Sequence, residues 1–342
     1  MSASSPVTSP EVAPAARGGA GLVQAVVTNA WFAFAVRRGM RLLVSLWVLV
    51  TASFLMIHLI PGDPVRVALG PTAPADLVAA RRESLGLNDA LWLQYFHYLK
   101  GVVTGDFGTS LISQLPVSDV IGQRLPATAL LALFAFALAL AVAVPLGVAM
   151  GVVTRRGRGR RAELAFTTSS VILGTIPDFF IGVGLVYVFG VNLGLLPVAG
   201  RAGPESYVLP VLALAVGPAA VLARIVRVEM VTVLRADFVR TARAKRLPAA
   251  TIYLGHALPN ALTAALTVSG LLLGSLVAGT VLVENVFAWP GLGTTIVQSI
   301  LAKDYPLAQG IVLIYGAGVL LINTAVDVLL AVLDPRSRIR ED

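Results

Sequence analysis

Between Asp237 and Asn260 the chain reads DFVRTARAKRLPAATIYLGHALPN, with four cations, Arg240, Arg243, Lys245 and Arg246, within seven residues. Guanidinium and ammonium groups so grouped attract carboxylates, phosphates and carbonyl dipoles, and the small Ala242 and Ala244 between them leave room for close approach. Asp237 opens a helical pattern and the cations close it, as the helix dipole favours. Pro248 stops that helix, and Ala249 to Leu258 can form a second short one before Pro259. A helix–turn–helix with small residues on its exposed face suits a groove on a partner. The plainer alternative is a basic loop held near anionic lipid, each charge contributing about 1 kcal/mol.

Bond-breaking chemistry finds little support. The three lysines, Lys100, Lys245 and Lys303, lie outside any G-x-x-x-x-G-K-[ST] phosphate loop, so this chain is not itself an ATPase. His58, His97 and His256 are isolated, with no second ligand within a helical turn, and a metal site is not expected. No G-x-S-x-G is present, and the absence of cysteine excludes thiolate nucleophiles and disulfides. The chemistry that remains is binding and passage. Asp178, Glu284, Asn323 and Asp327 stand in otherwise apolar runs and are the candidates for a translocation path. Asp178, after Pro177, predicts a kink beside an aqueous path, or a carboxyl group paired within the bundle. Asn323 and Asp327, at i and i+4, share one helix face and suit an interhelical hydrogen bond. Glu284 either lines an outer gate or marks the water boundary.

The elements that hold these residues are membrane spans. Of the 342 residues 57% are hydrophobic and 13% charged, where a soluble domain averages about 25% charged. A bilayer core needs roughly 20 apolar residues in a helix. Six runs qualify: Arg41 to Ile60, Ala127 to Val153, Leu164 to Val191, Val208 to Val228, Ala261 to Val283 and Leu307 to Leu333. With the amino terminus inside, nineteen of the 26 Lys and Arg residues fall on the cytoplasmic side and seven on the outer side. The positive-inside bias therefore places both termini in the cytoplasm. The net charge of +8 follows from topology and does not point to nucleic acid.

Residues 1–36 divide into a Ser-, Pro- and Ala-rich tail, expected to be disordered and cytoplasmic, and a short interfacial helix from Leu22 to Val36. The membrane domain spans 37–335, with an outer loop at 61–126 and a cytoplasmic loop at 229–260; residues 336–342 form a cytoplasmic tail. Within the outer loop, DALWLQYFHYL places Leu91, Tyr95 and Tyr98 on one helical face, with Trp92 and Phe96 beside it. That helix is expected to lie on the membrane or on other spans. Three G-x-x-x-G pairs, Gly147/Gly151, Gly190/Gly194 and Gly270/Gly274, suit tightly packed helices.

The 237–260 loop resembles the cytoplasmic signature of ABC importer permeases, E-A-A, three residues, Gly, nine residues, I-x-L-P. Arg240, Thr241 and Ala242 stand at its start, Arg246 at the glycine, and His256-Ala257-Leu258-Pro259 at its end, with the spacing kept. Arg246 in place of glycine leaves the handedness of the turn open. HLIPGDP, ESLGLNDALWLQYFHYL, GDFGTSL, PVSDVIGQRLPAT, ENVFAWPGLG, KDYPLAQG and DPRSR, in this order, are similar to the B-type permease subunit of dipeptide and oligopeptide importers. The resemblance implies an all-α polytopic membrane protein with six transmembrane helices, the type I ABC importer permease fold, in the cytoplasmic (inner) membrane. It implies that residues Arg240, Thr241, Ala242, Arg243, Ala244, Lys245 and Arg246 seat in an ATPase subunit as a coupling helix. The implied partners are a second homologous permease, two ABC ATPase domains, an extracytoplasmic substrate-binding protein, peptide and membrane lipid. No cofactor is expected in this chain, since ATP and Mg would bind the ATPase subunits. Nickel and glutathione are alternative cargoes. A secondary transporter or channel would need its own ion-coupling set, and an intramembrane enzyme a nucleophile or metal cluster.

Overall fold

The computed structural model describes residues 30–59, 64–70, 72–84, 86–155 and 159–333. The chain divides into one unit ending at Ser45 and a second beginning at Leu46. Among the described residues the first unit is the opening of helix α1 (Ala30–Leu59), which exposes Met40, Leu43 and Val44. Residues 30–36 belong to this helix, and the rest of the expected interfacial segment, 22–29, lies outside the described residues. The tail 1–29 and the terminal 334–342 lie outside the described residues.

The second unit is helical throughout, and its only strand-like feature among the described residues is an isolated bridge between Thr109 and Pro116. After α1 come α2 (Pro64–Leu69), α3 (Ala75–Ser84), α4 (Leu91–Thr104) and α5 (Val117–Thr154). Then follow α6 (Arg160–Thr175), α7 (Asp178–Leu185) with a π-helical extension to Asn192, and α8 (Val208–Val233). Helices α9 (Asp237–Ala244), α10 (Leu258–Val286), α11 (Leu292–Leu301) and α12 (Tyr305–Leu333) complete it.

Among the described residues five helices are long and apolar enough to cross a bilayer: α1, α5, α8, α10 and α12. The sixth expected span is the pair α6–α7, bent by 95° at Ile176–Pro177. Pro177 has no N–H for a continuing helix, so the kink expected there is a full break. Helix α5 begins ten residues before the expected Ala127, with Pro126 and Pro145 inside it.

Small residues set the packing. Ala127, Leu131, Ala135 and Ala139 of α5 meet Leu209, Ala213 and Leu214 of α8 in the main core, with Leu276, Val283, Phe287 and Trp289. A Cβ on Gly147 would stand 2.6 Å from Val226, and one on Gly151 2.7 Å from Met230, so this pair brings α5 and α8 into backbone contact. Because both positions advance together along the two helices, α5 and α8 run parallel. Gly270 and Gly274 make room between α10 and α12 for the Val326 and Asn323 side chains, and here the two helices run antiparallel. The third pair does not join helices: Gly190 packs on Val198 of the following loop, and Gly194 turns at φ +60°.

The outer-loop helix α4 rests on the second half of α1. The Tyr95 hydroxyl lies 2.8 Å from Thr51 Oγ1, and Tyr98 donates to Ser53 Oγ at 3.1 Å. Burial pushes the Tyr98 hydroxyl up to about 12, so it remains a protonated donor. Leu91, expected on the packed face, is exposed together with Trp92 and Phe96. Nearby, buried Asp304 accepts hydrogen bonds from the Ser110 hydroxyl and from the N–H groups of Leu111 (3.0 Å) and Ile112 (3.4 Å). One carboxyl group thereby ties GDFGTSL to the turn before α12.

Candidate functional site

Helix α9 forms because Asp237 sits in its first turn and Arg243 in its last, with Val239 and Ala242 one turn apart on a single apolar face. That face is buried against Val226, Met230 and Leu234 of the α8 end and Ile252, Ala257 and Ala261 beyond. Ala242 is therefore small for its own chain's packing. The expectation puts it on the docking face; in this chain it is buried in the packing beneath that face. Asp237, Phe238, Arg240, Thr241, Ala244, Lys245 and Arg246 are exposed, and Arg243 is half-buried.

The helix ends where the chain turns left-handed. Arg246 has φ +55°, its N–H bonding Arg243 O at 2.9 Å and the Leu247 N–H bonding Ala242 O at 3.3 Å. The turn of the glycine-bearing signature thus persists with arginine in it. The second helix does not stop at Pro259: a π-helical stretch, Thr251–Ala257, runs directly into α10. Pro259 in the first turn of α10 has no N–H to give the Gly255 carbonyl, which accords with the wider turns before it.

Asp178 is half-buried at the start of α7. Its two oxygens lie over glycines of two other spans, 3.2 Å from where a Cβ of Gly217 would stand and 3.1 Å from that of Gly279. Its side chain makes no hydrogen bond or ion pair among the described residues. A carboxyl group so placed, with room made for it by α8 and α10, can accept a cationic or hydrogen-bonding group of a passing solute.

Glu284 is fully buried and lies neither on an open path nor at water. Its Oε1 accepts the Thr128 hydroxyl at 2.6 Å, and its Oε2 accepts the Gly293 N–H at 2.6 Å and the Thr294 N–H at 3.3 Å. These are orphan donors at the N-terminus of α11, where a carboxyl group is favoured. Thr128 Oγ1 also accepts the Leu292 N–H at 2.8 Å. Trp289, buried, donates Nε1–H to Ala127 O at 3.2 Å. ENVFAWPGLG is a packed knot joining α5, α10 and α11. Thr128 and the glycines were not anticipated as its members. The available signal was the glycine pair Gly291 and Gly293, which marks a close backbone approach.

Asn323 Oδ1 is buried beside Gly274 with no hydrogen-bond partner among the described residues, so the expected interhelical bond is not made there by that oxygen. Asp327, one turn on, is half-buried.

The arrangement is a helical bundle with a polar break and a basic lateral helix. Residues 143–339 match the family described as binding-protein-dependent transport system inner membrane component, and residues 31–132 match its N-terminal counterpart. The chain belongs to this family. Similar proteins include the glutathione transport system permease protein GsiC of Escherichia coli (strain K12), of Shigella flexneri serotype 5b (strain 8401) and of Salmonella typhi. Each is 38% identical over 305 residues, covering 89% of this chain and 98% of the relative. Among solved structures, inward-facing conformations of the MetNI methionine ABC transporter, in the CY5 native crystal form, match with a TM-score of 0.54 and 21% identity. The match covers 63% of this permease and 96% of that chain. The permease is thus a multi-pass inner-membrane subunit of an ABC importer with the type I fold, and its relatives are transport subunits without an ATPase site of their own. Membership implies a partner permease, ATPase subunits and a binding protein.

Proposed function

We propose that this permease passes short peptides across the inner membrane, with both termini cytoplasmic and α9 as the link to the ATPase subunits. The observation that carries the link is the division of α9 into two faces. Val239 and Ala242 fix it to α8 and to the α10 approach, while Thr241, Ala244 and Lys245 remain outward. A push on the outward face moves the inner face as one body, because packed side chains transmit displacement instead of absorbing it. The movement reaches α8 and α10, the two spans whose Gly217 and Gly279 flank Asp178. ATP and Mg bound by the ATPase subunits supply the free energy, and the permease converts it into alternating access.

The charge asymmetry supports the orientation, and the order of sequence motifs supports peptide cargo. Glutathione, itself a tripeptide, is favoured as a specific cargo by the names of the relatives. Asp178 would receive the cargo's ammonium group. Uptake of labelled dipeptide, longer peptide and glutathione into vesicles holding the complete transporter, with its binding protein added, tests the cargo. ATP-dependent uptake of at least one peptide is expected, and uptake of none of them contradicts it.

A further inference from the structure

The end of α5, the start of α6 and the last part of α8 meet at one side chain. Arg227 of α8, 11% exposed, reaches Glu163 in the first turn of α6, Nη2 to Oε1 at 2.5 Å. Its Nε–H donates to the Thr154 hydroxyl at 3.1 Å, and Thr154 is the buried last residue of α5. One guanidinium group thus holds a partner on each of two other helices. The dipole of α6 also favours a carboxyl group in its first turn.

Little else holds the start of α6. Of its first six residues, 160–165, Glu163 alone is not exposed. Farther along, α6 follows α8 closely: Phe166 packs with Leu222 and Ala223, and a Cβ on Gly174 would stand 3.0 Å from Val221. Beyond the break, Asp178 lies over Gly217 of the same helix. The end of α8 is in turn held by α9, because Val226, the residue before Arg227, and Met230 pack with Val239 and Ala242. Arg227 therefore stands where the contacts of α8 to α9 and to the α6–α7 span come together.

We propose that Arg227 is a positioning residue for transport: through Glu163 and Thr154 it makes the cytoplasmic ends of α5, α6 and α8 move as one block. Displacement of α8 by α9 is then carried into α6 and arrives at the break at Ile176–Pro177, beside Asp178; this route rests on α9 being the link to the ATPase subunits. The pair resists separation because a guanidinium group left buried without its carboxyl group is costly. Without the pair, a helix start with so few buried contacts is free to lag behind α8. Arg160 and Arg161, its neighbours on α6, carry the sign of Arg227 and cannot stand in for Glu163.

Spin labels on Leu164→Cys and Val228→Cys, both exposed, report the α6–α8 distance in the complete reconstituted transporter by pulsed electron paramagnetic resonance. With the native pair, the distance is expected to be the same with ADP and with ATP plus vanadate. Glu163→Gln should broaden it and make it depend on nucleotide, while uptake of labelled dipeptide or glutathione per ATP hydrolysed falls several-fold and the ATPase subunits stay bound. The charge-swapped Glu163→Arg, Arg227→Glu permease should regain most of both. If Glu163→Gln does not assemble, Glu163→Asp, which keeps the charge and shortens the reach, should show a smaller change in the same direction. A native-pair distance that shifts with nucleotide overturns the proposal. So does an unchanged distance and uptake per ATP in Glu163→Gln, which leaves the pair a purely structural contact. A fixed distance that loosens in Glu163→Gln, in a transporter whose Ala244→Trp variant keeps its ATPase, leaves the block standing and strikes α9 as its driver.

Discussion

Thr128 donates its hydroxyl to Glu284 across 2.6 Å, joining α5 to α10 inside the bundle. The same carboxyl group takes two N–H groups of α11, so Glu284→Ala strands three donors at once. Each unsatisfied buried donor costs roughly 1–3 kcal/mol. Glu284→Ala is expected to lower the midpoint of thermal unfolding of the detergent-solubilised complex by several degrees, with Glu284→Gln falling between it and wild type. Equal midpoints for all three would contradict the knot.

Asp178 is expected to act on passage, not on folding. Asp178→Asn should reduce uptake by about ten- to hundredfold, the scale of a charged hydrogen bond worth roughly 1.5–3 kcal/mol, at near-normal membrane levels. Gly279→Ala, which puts a methyl 3.1 Å from its carboxyl oxygen, should reduce uptake in the same direction. Unchanged uptake at normal levels in both variants makes Asp178 a packing residue.

Arg246 occupies left-handed backbone, which disfavours side chains with a Cβ by roughly 1 kcal/mol or more. Arg246→Gly should leave assembly intact and slow proteolysis between α9 and α10, whereas β-branched Arg246→Val should speed it. Identical digestion of the two variants would contradict the turn.

Much of this was legible beforehand, for reasons that differ by residue. Span length follows from apolar runs, and Pro177 announces a break, but the 95° bend depends on how α6 and α7 each pack and leaves no local trace. Smallness alone does not say which neighbour demands it, so the burial of Ala242 within its own chain is not legible from its size; Val239, three residues earlier, is the clue that this face turns inward. Glu284 was unreadable because its partners are nine and ten residues later and 156 residues earlier in the chain. Gly190 and Gly194 fit a packing motif by spacing, but the chain leaves the helix between them.

Orientation is open to direct labelling because the chain has no cysteine. Asp89→Cys should react with an impermeant thiol reagent in intact cells, and Thr241→Cys, exposed on α9, should react only after lysis. Labelling of Thr241→Cys from outside inverts the topology.

The coupling role of α9 is tested most directly at Ala244, which is exposed where Ala242 is buried. Ala244→Trp adds bulk to the outward face without changing charge or the packing of Val239 and Ala242. Pull-down of the ATPase subunits by this variant, together with cargo-stimulated ATP hydrolysis, is the measurement. Normal permease levels with loss of the bound ATPase and of stimulated hydrolysis are expected; full recovery of both would show that α9 does not seat in the ATPase.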